Sequence, residues 1–321
     1  IKKFMKKVLV TTKLLKPNEE RISKIWDAKL NLNNAVYSKN KLIDLSKDCD
    51  GILSSILDKI DKETINKLSD RVKIISNFAV GFGNIDIEAA SKRNIIVTNT
   101  PDVLTDATAE IAMLLILGAS RRASEGMVRA KNKDWMWSAD FLIGKQLSGS
   151  KLGILGMGRI GRAVAKRAKA FGMEIHYHNR SQLSQDLEDG ATYHNNIQSL
   201  FSTSDILSIN CPATRETKKI INRETLTFFS QEAVITNSAR GDMIDDEAMV
   251  EALKNKKIFA LGLDVYNGEP DIHSGYLKLP NVFILPHLGS ATKKTRIDMA
   301  NLAIDNIEEF FKSGKCVNKV N

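Results

Sequence analysis

Short β-type runs alternate with helical segments along nearly the whole chain, and no other feature constrains the fold as strongly. Runs at 6–12 (KKVLVTT), 51–56 (GILSSI), 72–80 (VKIISNFAV) and 95–100 (IIVTNT) are separated by NEERISKIW, KETINKLS and IDIEAASKR, whose apolar residues recur at helical spacing. Such an order predicts parallel sheets covered by helices, because parallel neighbours need a crossover connection. Pro101 then opens a long apolar helix that Thr105 or Asp106 can cap, and its wide apolar face requires a large partner. A second strand set follows at 151–156, 173–178, 205–210, 233–238, 259–265 and 282–287. The tail from 291 to 311 reads as one amphipathic helix with no strand after it, so it is expected to pack back on the first strand set. That arrangement predicts a discontinuous domain, 1–101 plus 291–321, flanking a second domain at 102–290, with hinges near Pro101 and Ser290.

The chain has 321 residues, enough for two domains, and its 43% hydrophobic and 26% charged content excludes disorder as the dominant state. The longest apolar stretch, 111–119, is about half of what a membrane crossing needs, so no membrane span is expected. The net charge is +9, but the lysines are scattered rather than gathered on one arm, which argues against nucleic acid as a partner. A positive field instead favours small anions and phosphate-bearing cofactors. Cys49, Cys211 and Cys316 lie far apart with no C-x-x-C, which reads as reduced thiols in a cytoplasm and no metal site. The N-terminus shows no secretion signal, and since MKKVLVTT looks like a natural opening, residues 1–4 read as an upstream remnant.

GMGRIG (156–161) matches G-x-G-x-x-G, a weak signal alone but a specific one here, because a strand precedes it, a helix follows, and another strand comes at crossover distance. Gly156 permits the tight turn, Gly158 admits a pyrophosphate close to the backbone, and Gly161 lets the helix pack on the sheet. Arg159 and Ile160 open the helix, whose free N–H groups and dipole favour phosphate. The fold class is therefore α/β, with two Rossmann-like doubly wound parallel-sheet domains and an interdomain cleft. At the end of the second strand, where an NAD site places a carboxylate for the ribose, stand Asn179, Arg180 and Ser181. Arg180 can grip a 2′-phosphate while Asn179 and Ser181 donate to it, so NADP(H) is favoured over NAD(H).

Three later strand ends carry Arg240 (NSARGD), Asp264 and Glu269 (GLDVYNGEP) and His287 (PHLGSAT), and strand carboxyl ends are where open α/β sheets bind ligands. With AVGFGNIDIEAA (79–90), TPDVLTDATAE (100–110) and GMGRIG, these motifs in this order resemble the D-isomer-specific 2-hydroxyacid dehydrogenase family over essentially the full length. The resemblance is nearest to its glyoxylate/hydroxypyruvate reductase branch.

The resemblance implies that Arg240 holds the substrate carboxylate and keto oxygen, that His287 is the acid/base, and that Glu269 orients and charges it. It implies backbone donors at Val80 and Gly81, and cofactor contacts at Thr105, Pro212, Ser238, Asp264 and Gly289. Asp264 has an alternative reading as a cap for local backbone. The chemistry is coherent: a 2-oxo acid needs a hydride and a proton, and a neighbouring carboxylate favours the imidazolium that gives the proton. A homodimer is also implied, with Trp137 bordering the partner's substrate site and the apolar face of 111–119 in the interface. Two positions depart from the family pattern: Gly83, where a polar residue is frequent, and the small and polar residues of YNGEP before the glutamate. The rival readings are another D-2-hydroxyacid dehydrogenase, acting on glycerate, phosphoglycerate or 2-ketogluconate, and a dinucleotide-sensing co-repressor. An extra regulatory domain is frequent in phosphoglycerate dehydrogenases, and the end at Asn321 weighs against that rival.

Overall fold

The computed structural model describes residues 5–321; the reading of residues 1–4 as a remnant lies outside the described residues. The chain divides into two compact units, Ile1–Leu104 with Ala291–Asn321, and Thr105–Ser290. The first division falls three residues later than expected. Thr100 still donates its N–H to Ala79 at 2.9 Å, Val103 turns back onto Pro101, and the next helix starts only at Thr105.

The first unit holds five parallel strands: β1 (Lys7–Val10), β2 (Asp27–Leu30), β3 (Gly51–Ser54), β4 (Ile74–Asn77) and β5 (Ile96–Thr98). Their order is β2-β1-β3-β4-β5, the doubly wound order of a flavodoxin-like sheet. Both faces are covered, so β3 and β4 are buried at every residue. The expected tail helix runs Lys293–Ser313, starts on a Thr292 hydroxyl that accepts the Thr295 N–H, and ends on Gly314 in the left-handed conformation. Its Ala300, Ala303, Ile304 and Ile307 join Val8, Val10, Leu53 and Ile74 in one core cluster, and Arg21 pairs with its Asp305 and Glu308.

The second unit holds seven parallel strands: β6 (Lys151–Leu155), β7 (Glu174–His178), β8 (Thr192–Tyr193), β9 (Ile206–Ile209), β10 (Val234–Asn237), β11 (Ala260–Leu263) and β12 (Val282–Ile284). The order is β12-β11-β10-β9-β6-β7-β8, which reverses direction between β6 and β9. Ligands of doubly wound sheets bind at such a switch point, outside the strand carboxyl ends. The long apolar helix, Thr105–Ser120, is the core helix of this unit. Ala109, Ala112, Met113, Ile116 and Ala119 pack with Ile154, Val164, Val234 and Ala260. Its wide apolar face is thus occupied within one chain, which removes the argument from that face to a dimer interface. Thr105 and Asp106 lie inside its first turn rather than before it, and Asp106 pairs with Arg167 at 2.9 Å. No helix among the described residues is long and apolar enough to cross a membrane.

Candidate active site

The glycine turn links β6 to the helix Arg159–Ala170. Gly156 has φ +95°, and a Cβ there would lie 2.5 Å from the Cys211 backbone, so only glycine fits. A Cβ on Gly161 would overlap the Gly156 carbonyl, which explains the close start of the helix. Gly158, in contrast, has nothing within 4 Å of its Cβ position and supplies no side-chain cap to the helix it precedes. That open, uncapped helix start fits a pyrophosphate, which would receive the first free N–H groups.

Asn179 has a role that the sequence did not reveal: its Oδ1 accepts the Met157 N–H at 2.7 Å and so ties the end of β7 to the turn. Arg180 and Ser181 beyond it are exposed, and Arg180 makes no hydrogen bond within the described residues. Buried Tyr177 shapes the loop that carries them, since its hydroxyl donates to Glu188 at 2.5 Å and accepts the Leu183 N–H at 3.1 Å.

Arg240, Asp264 and His287 follow β10, β11 and β12 respectively, so three neighbouring strand ends carry them. His287 Nδ1 lies 2.6 Å from Glu269 Oε2, while Glu269 Oε1 accepts the Tyr266 N–H at 2.9 Å. Burial raises the Glu269 carboxyl, but the hydrogen bonds from His287 and Tyr266 and the charges of His287 and Arg240 outweigh it and hold the group below its ordinary value. With a folded value below the unfolded one, Glu269 adds stability above the ordinary carboxylate range and loses it as pH falls through the lowered value. Arg240 is lowered as well, but for a guanidinium that disfavours the charged form. Burial lowers its guanidinium from the ordinary value, and Glu269 and Asp242 only partly restore it.

The backbone around these side chains is built for close approach. His287 has φ +56°, a left-handed conformation that costs about 1–3 kcal/mol for a residue with a Cβ. Asp264 holds it there: its two oxygens accept the N–H groups of Leu288 at 2.7 Å and Gly289 at 2.8 Å, while Thr108 donates to the Gly289 carbonyl at 3.0 Å. The backbone-cap reading of Asp264 therefore describes its contacts here, and burial pushes its carboxyl up from the ordinary value. A Cβ on Gly241 would fall inside the Tyr266 and Asn267 backbone, so a glycine after Arg240 lets its loop lie against the segment leading to Glu269. Asn237, fully buried, fixes that loop by donating to the Arg240 carbonyl at 2.7 Å and accepting the Ala239 N–H at 2.9 Å. Asn237 and Tyr266 were not among the expected site residues, although both lie inside the motifs that were.

The other expected residues are placed as follows. Val80 and Gly81 lie in the first unit, where Asn99 and Asn77 bind their carbonyls at 2.8 and 2.9 Å. Their N–H groups have no acceptor among the described residues. Pro212 follows β9 and its carbonyl accepts the Thr217 hydroxyl at 2.9 Å; Ser238 is half-buried beside Arg240 in sequence. Trp137 is 80% exposed on a loop with Trp135 and Met136. The cysteines are free thiols.

A doubly wound unit with a glycine turn at its switch point and an Arg, Glu and His set at neighbouring strand ends defines a dinucleotide-dependent oxidoreductase. Residues 113–289 match the family described as "D-isomer specific 2-hydroxyacid dehydrogenase, NAD binding domain", and the chain belongs to that family. It is similar to a glycerate dehydrogenase of Hyphomicrobium methylovorum, with 39% identity over 95% of this chain and 96% of that one. A glyoxylate reductase of Thermococcus litoralis is 37% identical over 98% of this chain and 96% of its own. Among solved structures, an NADPH-dependent glyoxylate/hydroxypyruvate reductase of Sinorhizobium meliloti, in complex with NADP and malonate, has a TM-score of 0.88 at 32% identity. It covers 98% of this chain and 97% of that one.

Proposed function

We propose that this 2-hydroxyacid dehydrogenase reduces a short 2-oxo acid, glyoxylate or hydroxypyruvate, to the D-2-hydroxy acid, with NADP(H) as the favoured cofactor. The observation that carries the proposal is the His287–Glu269 pair at 2.6 Å, with the half-buried Arg240 after a neighbouring strand. The Gly156–Gly161 turn, Asn179, Arg180 and Ser181 would hold the cofactor, with Thr105, Pro212, Ser238 and Gly289 as further lining, and when bound it supplies the hydride that C2 of the acid receives. Glu269 engages Nδ1 of His287, which leaves Nε2 to give its proton to the keto oxygen as that oxygen becomes a hydroxyl. One Arg240 nitrogen is occupied by the Ala239 carbonyl at 2.6 Å, and the remaining donors of its planar fork suit a carboxylate and the oxygen on which charge develops. The free N–H groups of Val80 and Gly81 are two more donors suited to a carboxylate.

Steady-state kinetics with glyoxylate, hydroxypyruvate, pyruvate and 2-ketogluconate, each with NADPH and NADH, test this reading. The highest kcat/KM is expected for glyoxylate or hydroxypyruvate with NADPH, and a clear preference for 2-ketogluconate would overturn the substrate assignment. A co-repressor would bind the dinucleotide without turnover.

Arg180 is expected to set the cofactor preference. A charge-assisted hydrogen bond contributes about 1.5–3 kcal/mol, or roughly ten- to a hundredfold in affinity. Arg180→Ala should therefore weaken NADPH by that factor and leave NADH nearly unchanged, as read from kcat/KM for both. Equal losses for the two cofactors would remove Arg180 from the phosphate site.

The working form is proposed to be a homodimer. Met127, Val128, Trp135, Met136, Trp137 and Ile143 are all more than half exposed, an apolar content that the helix Ala123–Lys131 and its following loop do not bury within one chain. Sedimentation at micromolar concentration should give twice the chain mass, and Trp137→Ala should alter substrate selectivity. A monomer would refute the first expectation, and unchanged selectivity the second.

A further inference from the structure

A groove of about 580 Å³ lies in the first unit between the start of the helix Lys16–Ile25 and the start of Lys293–Ser313. Leu15, Pro17 and Ala291 give it apolar surface, Lys16, Lys293 and Arg296 give it three cations, and no acidic side chain lines it. Arg296 is the unusual member. It is half-buried, with its guanidinium 5.9 Å from the centre of the Phe78 ring, and that guanidinium makes no hydrogen bond or ion pair to the chain among the described residues. Burial pulls it below its ordinary value, with no neighbouring charge acting against that.

Other partly buried arginines of the same unit are satisfied. Arg21 reaches Asp305 at 2.6 Å and Glu308 at 2.9 Å, and Arg93 donates to the Ile65 and Leu68 carbonyls and to Asp70. Taking a cation out of water without a partner opposes folding, so an unpaired guanidinium facing a basic groove points to a partner from outside the chain. Its planar fork matches the two oxygens of a carboxylate or phosphate, and the Phe78 ring beside it covers one side of the group. Lys293 has no ion-pair partner among the described residues, and Lys16 has only a distant one, Glu20 at 3.8 Å.

We propose that this groove binds the carboxylate or phosphate group of a small molecule, with Arg296 as its two-point anchor and Lys16 and Lys293 as flanking charges. The occupant is a small anionic effector, and the site does not depend on the proposed reduction of 2-oxo acids. Phe78, whose ring lies under the guanidinium, is two residues before Val80, in the segment that carries the two free N–H donors.

The test is calorimetric titration of the full chain with inorganic phosphate in an Arg180→Ala, Arg240→Gln background. The cofactor and substrate arginines then cannot account for binding, and the result is readable whether or not the protein is active. Adding Arg296→Gln should weaken phosphate binding at least tenfold, the order of one charge-assisted hydrogen bond. In phosphate-free buffer the same change should not lower Tm, since it removes an unpaired charge, and phosphate should raise Tm only while Arg296 is present. Should Arg296→Gln fail to fold, Lys16→Gln with Lys293→Gln in the same background should still weaken phosphate severalfold. Absence of phosphate binding in the background protein, or equal affinity with and without Arg296, would overturn the proposal.

Discussion

Replacing His287 with alanine should lower kcat for 2-oxo acid reduction by about 100- to 10,000-fold, the range that general acid catalysis contributes. Cofactor binding should persist. The glycine turn is held by the Gly156 N–H on the His178 carbonyl and by the Met157 N–H on Asn179, none of which involves His287. Alanine also relaxes little of the backbone, because Asp264 still binds the Leu288 and Gly289 N–H groups. Fluorescence titration with NADPH alongside steady-state kinetics separates the two effects. A variant that retains near wild-type turnover would exclude His287 as the proton donor.

Gly241→Ala should be the most destabilising single methyl in the site. Its Cβ would overlap the Tyr266 and Asn267 backbone, which cannot swing aside as a flexible side chain can. Overpacking of this kind costs about 1–3 kcal/mol or more, and for a domain of this size each kcal/mol lowers Tm by roughly 2–4 °C. A fall of about 2–12 °C is therefore expected, together with a loss of activity, since the displaced segments carry Arg240 and Glu269. Gly158→Ala is the informative contrast. Nothing lies within 4 Å of that Cβ position, so Tm should hold while cofactor affinity falls. Equal Tm values for the two variants would show that the contact between the Gly241 and Tyr266 segments is not as described.

The difference between those glycines also explains what was legible in the sequence. The turn Gly156–Gly161 rests largely on local demands, the positive φ of Gly156 and the contact of Gly161 with the Gly156 carbonyl, so its pattern is readable directly, as is the order of the Arg, Glu and His motifs. Asn237, Tyr266 and Asn179 act through backbone groups whose positions depend on the path of a loop, and no spacing rule reports that path. Strand β2, DAKL, carries no strand signal because it is a four-residue edge strand, half-exposed and charged at two positions; β8 has only two residues. The helix Thr105–Ser120 shows a different limit. Its composition demanded a large apolar partner, but an intrachain sheet and a second subunit present the same surface to it, and only packing shows that the sheet takes that place.

In the proposed reaction bound NADPH gives a hydride to C2 of a 2-oxo acid while His287 protonates the oxygen. The most direct measurement is the fate of deuterium from NADPH labelled at the transferable position of the nicotinamide, with hydroxypyruvate as acceptor and the product analysed by mass spectrometry and chiral chromatography. D-glycerate carrying one deuterium at C2 is expected from the wild type and should be nearly abolished in His287→Ala. Unlabelled product, the L-isomer, or no product from any 2-oxo acid tried would contradict it.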